Sequence, residues 1–161
     1  GEDDFSAIEQ ALAPMAKAVV RAGASGAGQA AKICNNMLLG VSMIGVCEAF
    51  ALAEQLGLDP ERFFQIARSS SGQCWSLTSY APWPGLVPAA PSNRDYEGGF
   101  SAAMMLKDLK LARGAAAEAG VATPMGAQAE ALYALFDRLG YGGKDFSGLI
   151  QMLRGQLDAL A

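Results

Sequence analysis

Apolar positions along this chain recur mostly at helical spacing. Phe5, Ile8, Leu12 and Met15 fall three or four residues apart, the repeat of one helix face, and Pro14 should end or kink that helix. Val19 and Val20 then read as a short strand, although nothing else in the chain reads as a strand to pair with it. Residues 1–22 therefore look like the tail of a larger α/β domain. After a run of glycines, residues 27–56 form the longest predicted element. Its middle, MLLGVSMIGVCEAFALA, is apolar almost all round, but it is shorter than the ~20 residues of a membrane span and contains Glu48. A helix buried on every side, in a helical domain or a subunit interface, is the expectation. Gly57 should end it, and Asp59 followed by Pro60 supplies the cap and first residue of the next helix. Three further helices are predicted over 100–119, 124–139 with Thr123 as N-cap, and 147–159, with Gly120 and Gly140 at C-terminal caps. An irregular stretch, 81–99, holds four of the 7 prolines. Its Trp83, Leu86, Val87 and Tyr96 predict that it is ordered. The fold class is all-α, residues 23–161 built round one long central helix.

Composition narrows the chemistry. The chain has 161 residues, 52% hydrophobic and 17% charged, enough to bury a sizeable core. Its net charge of −4, with no basic run, argues against a nucleic-acid partner. It has no histidine, which removes imidazole bases, Ser-His and Cys-His pairs and most zinc sites. Cys34, Cys47 and Cys74 are odd in number and lack CxxC spacing, so they read as reduced thiols of an intracellular protein, and no metal centre is expected.

The stretch GASGAGQAAKICNN, residues 23–36, carries the candidate chemistry. Gly23 and Gly28 have the spacing of a phosphate loop, but Gln29 stands where that loop needs its lysine. Gly26, Gly28 and Ala31 match a GxGxxA dinucleotide fingerprint. That unit, however, requires a second parallel strand with an acidic residue within ~30 residues, and here a helix runs on through Glu48. What is left is Lys32 in an early turn of the long helix, with Asn36 one turn later on the same face. Free N–H groups, the helix dipole and apolar neighbours would favour a neutral amine able to exchange a proton with a substrate hydroxyl. Asn36 could hold that substrate without adding charge. The alternative, a solvated lysine at a helix start with Asn36 in ordinary core hydrogen bonds, stays open on these residues alone.

Four motifs in order extend this reading. GxGxxxKxxNN is met by Gly26, Gly28, Lys32, Asn35 and Asn36; SSSGQCWS follows at 69–76, the Pro-rich PWPGLVPAAPSNRDYEGGF at 82–100, and MLKDLKLA at 105–112. Over residues 1–158 the chain resembles the C-terminal helical domain of the β-hydroxyacid dehydrogenases, of the 6-phosphogluconate dehydrogenase type. The resemblance implies that Lys32 is the catalytic acid/base, that Asn36 orients substrate, and that Lys107 reaches the nicotinamide cofactor. It further implies that Trp75 and Gly72 border the substrate and that Phe100 lines the cofactor side. Residues 1–22 would then be the remnant of an N-terminal dinucleotide-binding domain that carries most of the NAD site. The implied activity is NAD-dependent oxidation of a short 3-hydroxy acid to its semialdehyde. The long insertion and QCWS favour 3-hydroxyisobutyrate, converted to methylmalonate semialdehyde in valine breakdown, over glycerate. Without the cofactor domain the isolated fragment would be inactive. A homodimer or homotetramer is implied, with no membrane partner and with a cytoplasmic or mitochondrial-matrix location. A different class of role, a non-catalytic oligomerisation module, is the rival; the presence of Lys32 argues for the enzyme.

Overall fold

The computed structural model describes residues 2–16 and 18–160, with side chains from Phe5 onward. Gly1, Lys17 and Ala161, which fall within the two expected segments 1–22 and 23–161, lie outside the described residues. The chain divides into two compact units, Gly1–Lys32 and Ile33–Ala161.

In the first unit, α1 spans Glu2–Leu12 and stops two residues before Pro14, where the expected breaker sits. The expected strand at Val19 and Val20 is absent. Among the described residues the one β-bridge joins Ser101 to Asp145, so Val19 and Val20 have no ladder to join. Gly23 and Gly26 take positive φ, +137° and +90°, and α2 begins at the next residue, Ala27. The glycines thus serve the turn into a helix rather than a strand–loop–helix fingerprint.

α2 runs unbroken over Ala27–Gln55, 29 residues and about 43 Å at helical rise. In the second unit its buried residues Met43, Cys47 and Phe50 form one stripe of the core. α3, Pro60–Ala67, starts as predicted: the Asp59 carboxylate accepts from the Arg62 N–H at 2.9 Å and Pro60 is the first helical residue. α4 is a single turn, Trp75–Thr78. α5, Ala102–Ala119, is capped by Ser101 rather than starting at 100, and Gly120 ends it in the left-handed conformation (φ 68°). α6, Pro124–Phe136, is shorter than predicted. Thr123 makes no side-chain cap bond, and the chain widens into a π-type turn over Asp137–Tyr141, where Gly140 has φ 98°. The last predicted helix is interrupted: a 3-10 turn at Phe146–Gly148 leads into α7, Leu149–Leu153. Gly155 (φ 68°) then breaks the run before a second 3-10 turn, Leu157–Leu160.

The expectation that α2 is buried on every side is corrected. By length and composition it could cross a membrane, but one stripe packs in the core while Leu38 and Leu52 are 65% and 60% exposed. Helical periodicity explains this: α5 and α6 lie against one face, and composition alone cannot say which other residues of α2 stay exposed. The close approach of α5 is permitted by Gly40, where a Cβ would meet the Met105 sulfur at 3.0 Å.

Residues 81–99 are ordered, as predicted, because polar side chains satisfy their backbone. Asn93 accepts from the Gly85 N–H at 2.6 Å and donates to the carbonyls of Val87 and Pro88. Ser92 donates to the Ala81 carbonyl at 2.9 Å, and the Tyr96 hydroxyl to that of Pro82 at 2.8 Å. Trp83 closes this stretch onto the core by stacking on Phe50 at 5.9 Å. The Arg154 guanidinium lies 4.3 Å from the centre of the Trp83 ring and forms a bidentate pair with Glu54 at 2.7 and 2.5 Å.

Asp145 ties these parts together. It is fully buried and accepts from the Tyr80 hydroxyl (2.8 Å), the Phe100 N–H (2.8 Å) and the Ser147 N–H (3.0 Å) and hydroxyl. Burial pushes its carboxyl above the usual range, and these hydrogen bonds oppose that rise.

Two outcomes are expected. Hydrogen bonding to Arg154, with its charge, holds Glu54 below the usual carboxylate range. The ionised form is therefore favoured by folding, and the gain is present above the unfolded value near 4.5 and lost as pH falls through the folded one. Glu54→Gln should cost about 1 kcal/mol at pH 7, and in urea titrations its difference from the unmodified chain should vanish below the folded pKa of Glu54. Gly99 has φ +76°, and a Cβ there would strike the Asp145 carboxylate and lie 2.6 Å from the Tyr80 hydroxyl. Gly99→Ala should cost about 3 kcal/mol or more in the same assay; a loss under 1 kcal/mol would mean that the Asp145 cluster tolerates displacement.

Candidate active site

The site residues lie on α2, α4 and α5. Lys32 is exposed on α2, and four residues further along the same helix Asn36 is half-buried. The Asn36 amide donates from Nδ2 to Asp108 Oδ2 on α5 at 2.6 Å, and its Oδ1 accepts from Asn35 Nδ2 at 3.2 Å. A carboxylate can only accept, so Asp108 dictates which end of the Asn36 amide it receives. Asn36 is thereby held in one orientation, with one N–H committed and the other remaining to meet a ligand.

Asp108 is only 4% exposed, a residue that the motif MLKDLKLA contains without singling out. A helical wheel could have found it. Asp108 is three residues after the buried Met105 and four before the buried Ala112, whereas Lys107 falls on the opposite, exposed side.

α4 supplies the second wall. Trp75, its first residue, is 53% exposed and stacks on Tyr80 with ring centroids 5.0 Å apart. Tyr80 is held in turn by Asp145 and by the Phe146 ring at 5.5 Å. Its phenol is pushed well above the usual range by burial and by the neighbouring carboxylate, so it stays a neutral hydrogen-bond donor. Between α2 and α4 lies a hollow of about 450 Å³, lined by Asn35, Leu38, Leu39, Ser42, Cys74, Trp75 and Ser76. Among the described residues, none of those lining it is charged.

The other expected site residues are placed less tightly. Gly72 lines a neighbouring hollow with Phe63, Ile66 and Cys74. A Cβ on Gly72 would meet nothing within 4 Å, so neither space nor backbone demands glycine there. Phe100 is half-buried, its ring edge-on to Phe146 at 5.7 Å and its N–H on Asp145, a supporting role in this chain. Tyr80 and Asp145 had no motif to announce them, and Ser76 closes SSSGQCWS without standing out in it; each acquires its place through partners 65 or 45 residues away or through burial. Among the described residues, no group of three or more His, Cys, Asp or Glu side chains converges as metal ligands would. Cys47 is fully buried, and desolvation pushes its thiol far up, which makes it an inert core residue.

Residues 26–153 match the family described as NAD-binding of NADP-dependent 3-hydroxyisobutyrate dehydrogenase. This chain belongs to that family. Among curated relatives, the mitochondrial 3-hydroxyisobutyrate dehydrogenase of Pongo abelii is 47% identical over 153 residues, 95% of this chain and 46% of the relative. A probable 3-hydroxyisobutyrate dehydrogenase of Mycobacterium bovis is 46% identical over 148 residues, 92% of this chain and 50% of the relative. The chain spans about half the length of the curated relatives it matches. A solved Mycobacterium tuberculosis 3-hydroxyisobutyrate dehydrogenase, described with L-serine, superposes with a TM-score of 0.89 at 44% identity, covering 96% of this chain and 53% of that one. A Salmonella typhimurium structure of the same description shares the fold, with a TM-score of 0.76 at 24% identity over 92% of this chain and 50% of that one. The all-α class expected from periodicity is the fold of this chain, which superposes on about half of each of these two structures.

Two segments bear on how a nicotinamide dinucleotide could be held. Lys107 offers an exposed ammonium on α5, whereas the Gly26–Gly28 turn has no β-ladder beside it among the described residues and so cannot act as the strand–loop–helix cradle.

The clamp predicts its own failure. Asn36→Asp would set two carboxylates face to face where the amide now donates at 2.6 Å. The variant should lose about 2 kcal/mol of stability at pH 7 and regain it as acid supplies a shared proton. Urea titrations at pH 7 and pH 4.5 measure the difference; equal loss at both would remove Asp108 from the interaction.

Proposed function

We propose that this chain is the helical substrate-binding part of an NAD-dependent dehydrogenase that oxidises 3-hydroxyisobutyrate to methylmalonate semialdehyde, a step of valine breakdown. The supporting observation is the Asn36–Asp108 clamp on the helix that also carries Lys32, within a family of NAD-binding 3-hydroxyisobutyrate dehydrogenases. Residues 1–22 belong, on this reading, to a preceding dinucleotide-binding domain and residues 23–161 to the helical domain. The fragment alone is then inactive.

A bound NAD would supply the acceptor for the hydride of the carbinol carbon. Lys32, as the neutral amine, accepts the proton of the substrate hydroxyl as that oxygen becomes a carbonyl; in the reverse direction its ammonium form returns the proton. Asn36 steers the substrate through its uncommitted N–H, and Asp108 keeps that amide from turning. Trp75 covers the substrate from α4, with Tyr80 behind it as support. Lys107, exposed on α5, and Phe100 would border the cofactor. Because Lys32 supplies the base, the absence of histidine from the chain is no obstacle to acid–base chemistry.

The exposed apolar face of α2, with Leu38 and Leu52, supports a homo-oligomer. The mitochondrial relatives and the mycobacterial ones support a matrix location in a eukaryote and a cytoplasmic one in a bacterium. A second substrate reading, another short 3-hydroxy acid such as glycerate, draws support from the 44% identical structure described with L-serine, itself a 3-hydroxy acid with a polar group beside the reacting carbon.

The test is Lys32→Ala in the chain joined to its cofactor domain, following NADH formed from 3-hydroxyisobutyrate. kcat should fall about 10²–10⁴-fold. Turnover close to that of the unmodified enzyme would remove Lys32 from the chemistry.

A further inference from the structure

Two of the groups that support the site meet at one oxygen atom. Asp145 Oδ2 accepts from the Tyr80 hydroxyl and from the Phe100 N–H, each at 2.8 Å. The other oxygen, Oδ1, accepts from the Ser147 N–H at 3.0 Å and from the Ser147 hydroxyl. Oδ1 thus fixes the carboxylate at the entrance to α7, and Oδ2 presents an acceptor shared by two distant segments. Asp145 is 0% exposed, so water has no room to replace it as acceptor.

From that oxygen the two donors lead to different parts of the proposed site. The Tyr80 ring stacks on Trp75 with centroids 5.0 Å apart and planes 23° apart. Trp75 is 53% exposed, and the stack ties its ring through Tyr80 to the buried Phe146. Phe100 is gripped by two consecutive residues: its N–H donates to the Asp145 carboxylate, and its carbonyl accepts from the Phe146 N–H at 2.8 Å. A displacement of the carboxylate reaches both donors at once, whereas loss of the Tyr80 hydroxyl leaves the Phe100 bond intact.

We propose that Asp145 is a positioning residue that sets the substrate side and the cofactor side of the site together, through Tyr80 to Trp75 and through its bond to Phe100. This rests on the proposed places of Trp75 over the substrate and Phe100 beside the cofactor. Being buried, Asp145 itself touches neither ligand. The affinity for the hydroxy acid and the affinity for NAD accordingly depend on one oxygen.

The experiment measures KM for 3-hydroxyisobutyrate and for NAD in the intact enzyme and in two variants. Asp145→Asn replaces one acceptor oxygen by an amide nitrogen. In either orientation that nitrogen faces a backbone N–H that can only donate, of Ser147 or of Phe100, and is pushed away from it. Both KM values should rise about fivefold, the scale of one hydrogen bond. Tyr80→Phe keeps the stack and the Phe100 bond, so KM for the hydroxy acid should rise about fivefold and KM for NAD stay within about twofold. A carboxylate that merely stabilises the fold would lower the melting temperature and leave both KM values in place. That result overturns the proposal; so does Asp145→Asn raising only one constant, or Tyr80→Phe failing to raise the first constant alone. If Asp145→Asn does not fold, Ser147→Ala decides, because it removes one Oδ1 donor and lets the carboxylate shift. Both constants must then rise, or the shared anchor is wrong.

Fluorine NMR of fluorotryptophan-labelled enzyme separates this idea from the one beneath it. If the unmodified enzyme does not turn over 3-hydroxyisobutyrate, the proposed function fails. The shared anchor then survives if the Trp75 line moves in both variants and NAD binds about fivefold more weakly in Asp145→Asn alone. A fixed Trp75 line, or NAD binding that is unchanged or absent, ends it.

Discussion

A single buried carboxylate organises the part of this molecule that supports the site. Asp145 gathers donors from three places: the Tyr80 hydroxyl after α4, the Phe100 N–H just before α5, and Ser147 at the entrance to α7. Burying a carboxyl is unfavourable unless its lone pairs are satisfied, so the ends of the long irregular stretch are drawn to one point. Gly99 exists in the space that results, since any Cβ there would run into the carboxylate and the phenol. The Trp75 ring depends on the same point through Tyr80. A charge placed far from the reacting groups thereby determines where the α4 wall of the hollow stands.

α2 serves the core and the chemistry with different parts of its surface. Met43, Cys47 and Phe50 face the packed interior, while Asn36 meets Asp108 near its N-terminal end. The close contact with α5 at Gly40 brings the helix carrying Asp108 near enough for a 2.6 Å hydrogen bond. Packing and site geometry are therefore the same fact seen at two positions along one helix pair. Asn36 is aimed by a residue of α5, which means that substitutions in the α5 core would reach its orientation without touching it.

Much of the architecture was legible from residue spacing. The start and end of α2, the Asp59–Pro60 opening of α3 and the left-handed Gly120 end of α5 follow from local rules of caps, proline and glycine, which act over a few residues. Predictions failed where a long-range partner decided. Val19 and Val20 have strand propensity but no ladder. The π-type turn after Phe136 and the break at Gly155 shorten two helices that periodicity would have continued. Motif order also brought out Lys32, Asn36, Trp75 and Lys107, but it offered no ranking between the two charges of KDL, one buried and one exposed.

By itself the sequence determined the all-helical class, the absence of imidazole chemistry and the lysine–asparagine spacing, because composition and periodicity are properties of neighbouring residues. Tertiary structure alone decided that Asp108 orients Asn36, that Asp145 supports Tyr80 and through it Trp75, and that Ser76 is buried beside a neutral hollow. Each of those depends on residues from separate elements converging, with the burial that makes a polar group costly when alone and directional when paired.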